Sequence, residues 1–108
     1  MELAPMLKAL GDPTRLRLFQ ALLERKHCVR SLSRTLGISE PAVSQHLKLM
    51  RDCGLVCASR HGRHIHHMPA PEAAAFLAHS FAEMEARSAA LDRSDTPCQC
   101  LYRKEDTL

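Results

Sequence analysis

Apolar residues recur at helical spacing through most of the chain. Leu3, Met6, Leu7 and Leu10 fall at i, i+3, i+4 and i+7 and predict a short amphipathic helix over 2–10, ended by Gly11. Asp12-Pro13 starts a second helix, with Asp12 as N-cap and Pro13 at the first helical position, where proline loses no needed hydrogen bond. Leu16, Phe19, Leu22 and Leu23 give that helix a core stripe through about Glu24. Residues 30–36 predict a third helix with Leu32 and Leu36 inward, closed by Gly37 at a left-handed C′ position. Ser39 caps a fourth, which tolerates Pro41 in its first turn and is stopped by Gly54. Val43, Leu47 and Met50 anchor it, while Glu40, Ser44, Gln45, Lys48 and Arg51 form its polar, outward side.

The pattern then changes. Leu55–Arg60 and Arg63–Met68 read as two short strands around a turn at His61-Gly62, and Pro69 and Pro71 close the hairpin. Over 71–91, helical spacing returns with Ala73, Phe76, Leu77, Ser80, Phe81, Met84, Ser88 and Leu91, apolar over a wide face. A polar tail follows from Asp92 and contains Cys98-Gln99-Cys100. The expected fold is mainly α with a small β-hairpin. Residues 1–92 form one domain and 93–108 its tail.

Length and composition narrow the function. At 108 residues there is room for one domain and not for a multidomain enzyme. Four glycines, none paired closely enough, make neither a Rossmann nor a P-loop nucleotide site, and no nucleophile–base pair or pair of carboxylates suggests catalysis. No apolar run approaches the ~20 residues of a membrane span, and the N-terminus does not read as a signal peptide, so a cytoplasmic protein without membrane contact is expected. Residues 25–68 hold eight basic groups (Arg25, Lys26, Arg30, Arg34, Lys48, Arg51, Arg60, Arg63) against Glu40 and Asp52, and six of the seven histidines. Such a block is either the footprint of a polyanion or a solvated face; composition alone leaves both open.

The element order resolves the choice towards nucleic acid. Two short helices joined by a tight glycine turn, the second polar outward, followed by a basic hairpin, make a winged helix-turn-helix. The fourth helix fits the ~12 Å major groove. Ser39, Glu40, Pro41, Ser44, Gln45, Lys48 and Arg51 are its candidate DNA-binding residues, with Arg60 and Arg63 on the wing neutralising phosphates. A domain this small rarely buries the wide apolar face of the last helix alone. A homodimer is therefore expected through Leu3, Met6, Leu7, Phe76, Leu77, Phe81 and Met84 of the first and last helices. Its two-fold axis would place two recognition helices about one duplex turn (~34 Å) apart on double-stranded operator DNA.

Lys8-Ala9-Leu10-Gly11-Asp12-Pro13-Thr14-Arg15-Leu16-Arg17-Leu18 resembles the opening signature of the ArsR/SmtB family of bacterial metal-responsive repressors. Leu36 to Leu47, followed by Arg51-Asp52-Cys53-Gly54-Leu55-Val56, is similar to that family's helix-turn-helix, and Gly62-Arg63 to its wing. The likeness covers residues 5–68 closely and 70–92 by pattern. It implies a homodimeric repressor that leaves its operator when an inducer binds.

Five cysteines, an odd number without the spacing of a secreted disulfide framework, are the candidate sensors. The family's Cys-x-Cys at the third helix matches Cys28-Val29-Arg30 here, where arginine replaces one thiol, so Cys28 reads as structural. The family's zinc site on the last helix finds only His79 and Glu83. The cadmium/lead-sensing branch gives the fuller match: Cys53 and Cys98 resemble its ligand positions, although Leu49 stands where that branch has a second cysteine. Cys100, or Cys57 in its place, would restore a third sulfur, and the related arsenic sensors also use cysteines after the last helix. Thiolates select a soft metal or metalloid ion of the As(III), Cd(II) or Pb(II) class as inducer. A thiol-redox or persulfide response is the alternative. In the wing, strand alternation points His64 and His66 together and His67 away, so these histidines either cover the hairpin, meet phosphates or hold zinc or nickel.

Overall fold

The computed structural model describes residues 1–94 together with Cys98 and Gln99. Helices α1 (Leu3–Leu10), α2 (Pro13–Glu24), α3 (Val29–Leu36) and α4 (Glu40–Asp52) precede strands β1 (Val56–His61) and β2 (His64–Pro69), and α5 (Ala73–Ala90) follows. The strands pair antiparallel, Val56 opposite Pro69 through His61 opposite His64. The described residues form a winged helix-turn-helix of five helices and one hairpin.

Local chemistry sets the boundaries. Asp12 caps α2 by accepting a 3.0 Å hydrogen bond from the Arg15 amide. That bond holds the Asp12 carboxyl below its ordinary pKa, with the Arg15 charge adding to the effect. Arg15 Nε also donates to the Ala9 carbonyl at 2.8 Å, latching the end of α1 to the start of α2. Gly37 closes α3 at φ 69°, a left-handed conformation that favours glycine. Ser39 then accepts from the Ala42 amide to open α4. The α3–α4 turn is therefore specified by residues on both sides of it.

The core gathers Met6 and Ala9 of α1, Leu18, Phe19 and Leu22 of α2, Leu32 and Leu36 of α3, Val43, Leu47 and Met50 of α4, Leu55, Val56, and Ala73 and Leu77 of α5. Three expectations change. Leu16 and Leu23 are exposed, and Leu18 takes the core position instead. At about 100° per residue, Leu18 and Leu22 point α2 inward and leave Leu16 and Leu23 together on its flank. Met6 and Leu77, expected in a dimer interface, are buried within the protomer because α1 and the first turns of α5 pack on the core. Leu7, Phe81 and Met84 do remain outside, the last two 48% and 50% exposed, and every residue of 81–90 is exposed. The strands begin one residue later than expected, leaving Gly62 and Arg63 as the loop, with Gly62 at φ 62°. Glycine at the first central position is what a II′ hairpin requires. Among the described residues, no helix is long and apolar enough to cross a membrane.

Candidate DNA-reading face and thiol cleft

Helix α4 is divided along its length. Val43, Leu47 and Met50 are buried; Ser39, Glu40, Pro41, Ser44, Gln45, Lys48 and Arg51 are all exposed. The core fixes the helix while one side stands free with hydroxyl, amide and cationic groups, the types that meet base edges and phosphates. Lys48 Nζ pairs with Asp52 at 2.9 Å, but both side chains are well exposed. Such a pair is weak, so Lys48 remains available to a phosphate. Arg60 and Arg63 are exposed at the end of the wing. Between α4 and the wing lies a cleft of about 310 Å³ lined by Val29, Ser44, Leu47, Arg51, Ala58, Ile65 and His67.

The position of the wing depends on a junction that sequence reasoning missed. His27 and His67 bridge through two backbone hydrogen bonds, 3.1 Å from the His27 amide and 2.7 Å from the His67 amide, tying β2 to the segment before α3. Both residues are buried. His27 Nδ1 lies 2.6 Å from Ser31 Oγ. Burial, aided by Arg25 against an opposing Glu24, lowers the His27 pKa; burial, Arg51 and His66 lower that of His67. Both are therefore held neutral in the fold and protonate more readily unfolded. Stability from this pair is complete above the ordinary histidine pKa of about 6.5 and is lost as the pH falls below it towards the folded values. Urea midpoints are expected to fall between about pH 7 and pH 5; a flat or rising midpoint across that window would contradict the assignment.

Cys53 is half-buried at the C-cap of α4, its Sγ donating to the Met50 carbonyl at 3.4 Å. It lines a cleft of about 330 Å³ with Pro5, Lys8 and Ala9 of α1, Arg15, Leu49 and Asp52. A thiol there lies between the end of α4 and the first helix, in a cleft with cations at its walls. Cys57 is half-buried, with Sγ 3.8 Å from the Pro69 carbonyl oxygen, and Cys98 is exposed. Cys100 lies outside the described residues. Cys28 is the N-cap of α3, its sulfur accepting from the Ser31 amide at 3.4 Å, in keeping with a structural thiol. His79 lies 3.4 Å from Glu83 on the exposed side of α5. Among the described residues, no three histidine, cysteine or carboxylate side chains stand close enough together to hold a metal ion.

Residues 12–57 match the family described as bacterial regulatory protein, arsR family. The chain is 38% identical over 96 residues to the HTH-type transcriptional regulator CmtR of Mycobacterium bovis, covering 89% of this chain and 78% of that protein. It is 43% identical over 60 residues to a probable mercury resistance operon repressor of Streptomyces lividans, covering 56% and 48%. Among solved structures, it resembles a homodimeric winged helix-turn-helix DNA-binding domain of Mycobacterium bovis with a TM-score of 0.64 at 22% identity, covering 85% of this chain and 86% of that one. That likeness is one of fold.

Proposed function

Given that the chain belongs to the ArsR family of bacterial regulatory proteins, we propose that it is a cytoplasmic homodimeric repressor released from operator DNA by a soft metal or metalloid ion bound to cysteine thiolates. It is a transcriptional regulator and not an enzyme. The observation that carries the DNA reading is the division of α4: its apolar side is locked in the core and its Ser44, Gln45, Lys48 and Arg51 side is free beside the wing. Residues 1–92 form the DNA-binding and dimerising unit. The exposed strip of Phe81, Met84 and Leu91 on and just beyond α5 supports pairing with a second copy, with Leu7, and Leu3 and Phe76 at their partly buried edges, extending the contact.

Cys53 fits a soft ion in donor type and in place: a half-buried sulfur in an open cleft at the end of the reading helix. Among the described residues no further donor set is assembled around it, so the remaining sulfurs come from the tail, Cys98 and Cys100, of the same or the second copy. Cys57 is the weaker third donor because its thiol is already directed at Pro69 within the hairpin. The ion would supply a bond between tail and α4; the chain's own part is to hold Cys53 where a shift of the α4 terminus moves the reading face.

Duplex binding tests the first half. Arg60→Ala and Arg63→Ala are each expected to weaken operator and random duplex alike and to reduce the salt slope by about 1. Gln45→Ala is expected to cost about 1–3 kcal/mol on the operator and far less on random sequence. Equal losses on both duplexes would remove Gln45 from base reading.

A further inference from the structure

One face of the wing is not used by this function. Antiparallel register sets Ser59 opposite His66 and His61 opposite His64. Directly opposed residues share a face, and alternation puts both pairs on the same one. The rings of His61 and His66 have centroids 5.4 Å apart, and those of His64 and His66 stack at 6.3 Å. His61 Nε2 lies 3.0 Å from Ser59 Oγ. His66 Nδ1 is enclosed without a hydrogen-bond partner, the kind of atom that calls for an unseen one.

We infer that His61, His64 and His66 form a binding site for a borderline divalent cation, zinc or nickel, on the wing face away from the α4 cleft. Imidazoles suit these ions, whereas the thiols of Cys53 and the tail suit soft ones. Three rings on one ion, with nitrogens about 2.0–2.1 Å from it, have centroids roughly 4.5–5.5 Å apart. His61–His66 already meets that spacing. His64 is exposed, and the proposal requires its ring to turn towards the other two, since without an ion no three donors among the described residues converge. The Lys26 charge near His66, and Arg60 and Arg63 at the tip, oppose a cation, so binding is weaker than at a closed structural site.

An ion at this face adds positive charge within a Debye length of the wing's phosphate-facing arginines. It therefore tightens duplex binding, opposite in sign to the inducer; this consequence rests on the DNA-binding function proposed above. The full chain carrying Cys53→Ser, Cys98→Ser and Cys100→Ser removes the thiols of the inducer site. Titrated with Zn(II) against a chromogenic indicator, it is expected to take one equivalent, lost when His61→Gln and His64→Gln are added at these exposed positions. No equivalent, or one that survives the histidine changes, overturns the site. In the chain carrying only Cys98→Ser and Cys100→Ser, Co(II) reads the same site by d–d bands without a thiolate charge-transfer band, so the test does not depend on one variant folding. Zn(II) is further expected to raise random-duplex affinity at least roughly fivefold. Zinc uptake with unchanged duplex affinity overturns the coupling alone, and failure of the zinc-free protein to bind any duplex overturns the DNA-binding function while leaving the site in place.

Discussion

Leu47→Ala is expected to lower the unfolding free energy by about 2–5 kcal/mol, the usual cost of emptying a fully buried leucine site. Leu47 has no solvent exposure and sits midway along α4 between the buried Val43 and Met50. A domain of this size has only about 5–15 kcal/mol to lose, so the variant populates unfolded chain and its operator affinity falls with it. Urea unfolding followed by circular dichroism checks the value, with an unchanged m expected. Ser44→Ala, on the exposed flank of the same helix, is expected to change stability by less than about 0.5 kcal/mol while impairing operator binding. A loss below about 1 kcal/mol for Leu47→Ala would mean that α4 is not anchored by its apolar side.

Cys98→Ser combined with Cys100→Ser is expected to abolish release while leaving the reduced protein's duplex affinity intact. For the unaltered chain, Cd(II) or As(III) is expected to weaken operator binding by roughly 5–150-fold, the span of ordinary coupling between two sites. The Cd(II) complex should show a thiolate-to-metal charge-transfer band that the double variant loses. Cys53→Ser should abolish release equally, because its sulfur is the one attached to α4. Full release of the double variant by every soft ion would remove the tail from the mechanism. Release of the unaltered chain by peroxide or polysulfide, with no response to ions, would establish the redox alternative.

What could be read without coordinates was local. The Asp12 cap, the left-handed Gly37 and the Ser39 cap each depend on residues within one turn, and the helices fall where those signals put them. The polar side of α4 was legible for the same reason, since three apolar anchors fix which way a helix faces. Direction was less legible in α2, where five large apolar residues offer two overlapping stripes and only packing selects Leu18 over Leu16 and Leu23. Periodicity likewise marks Met6 and Leu77 as apolar without saying which body covers them. The His27–His67 bridge joins segments far apart in sequence and leaves no local signature. The thiol site was legible as donor types alone; in the function proposed above its remaining sulfurs come from the tail of the same or the second copy.

The bare strip of Phe81, Met84 and Leu91 has a consequence during synthesis. A newly made chain carries it uncovered, and until a mate arrives that stretch invites proteolysis and the wrong companion. In a cell holding several regulators of similar shape, the proposed pairing would use the bulk of these three side chains to sort like from unlike. In the proposed pair, their replacement would blur the choice of mate before it altered the grip on DNA.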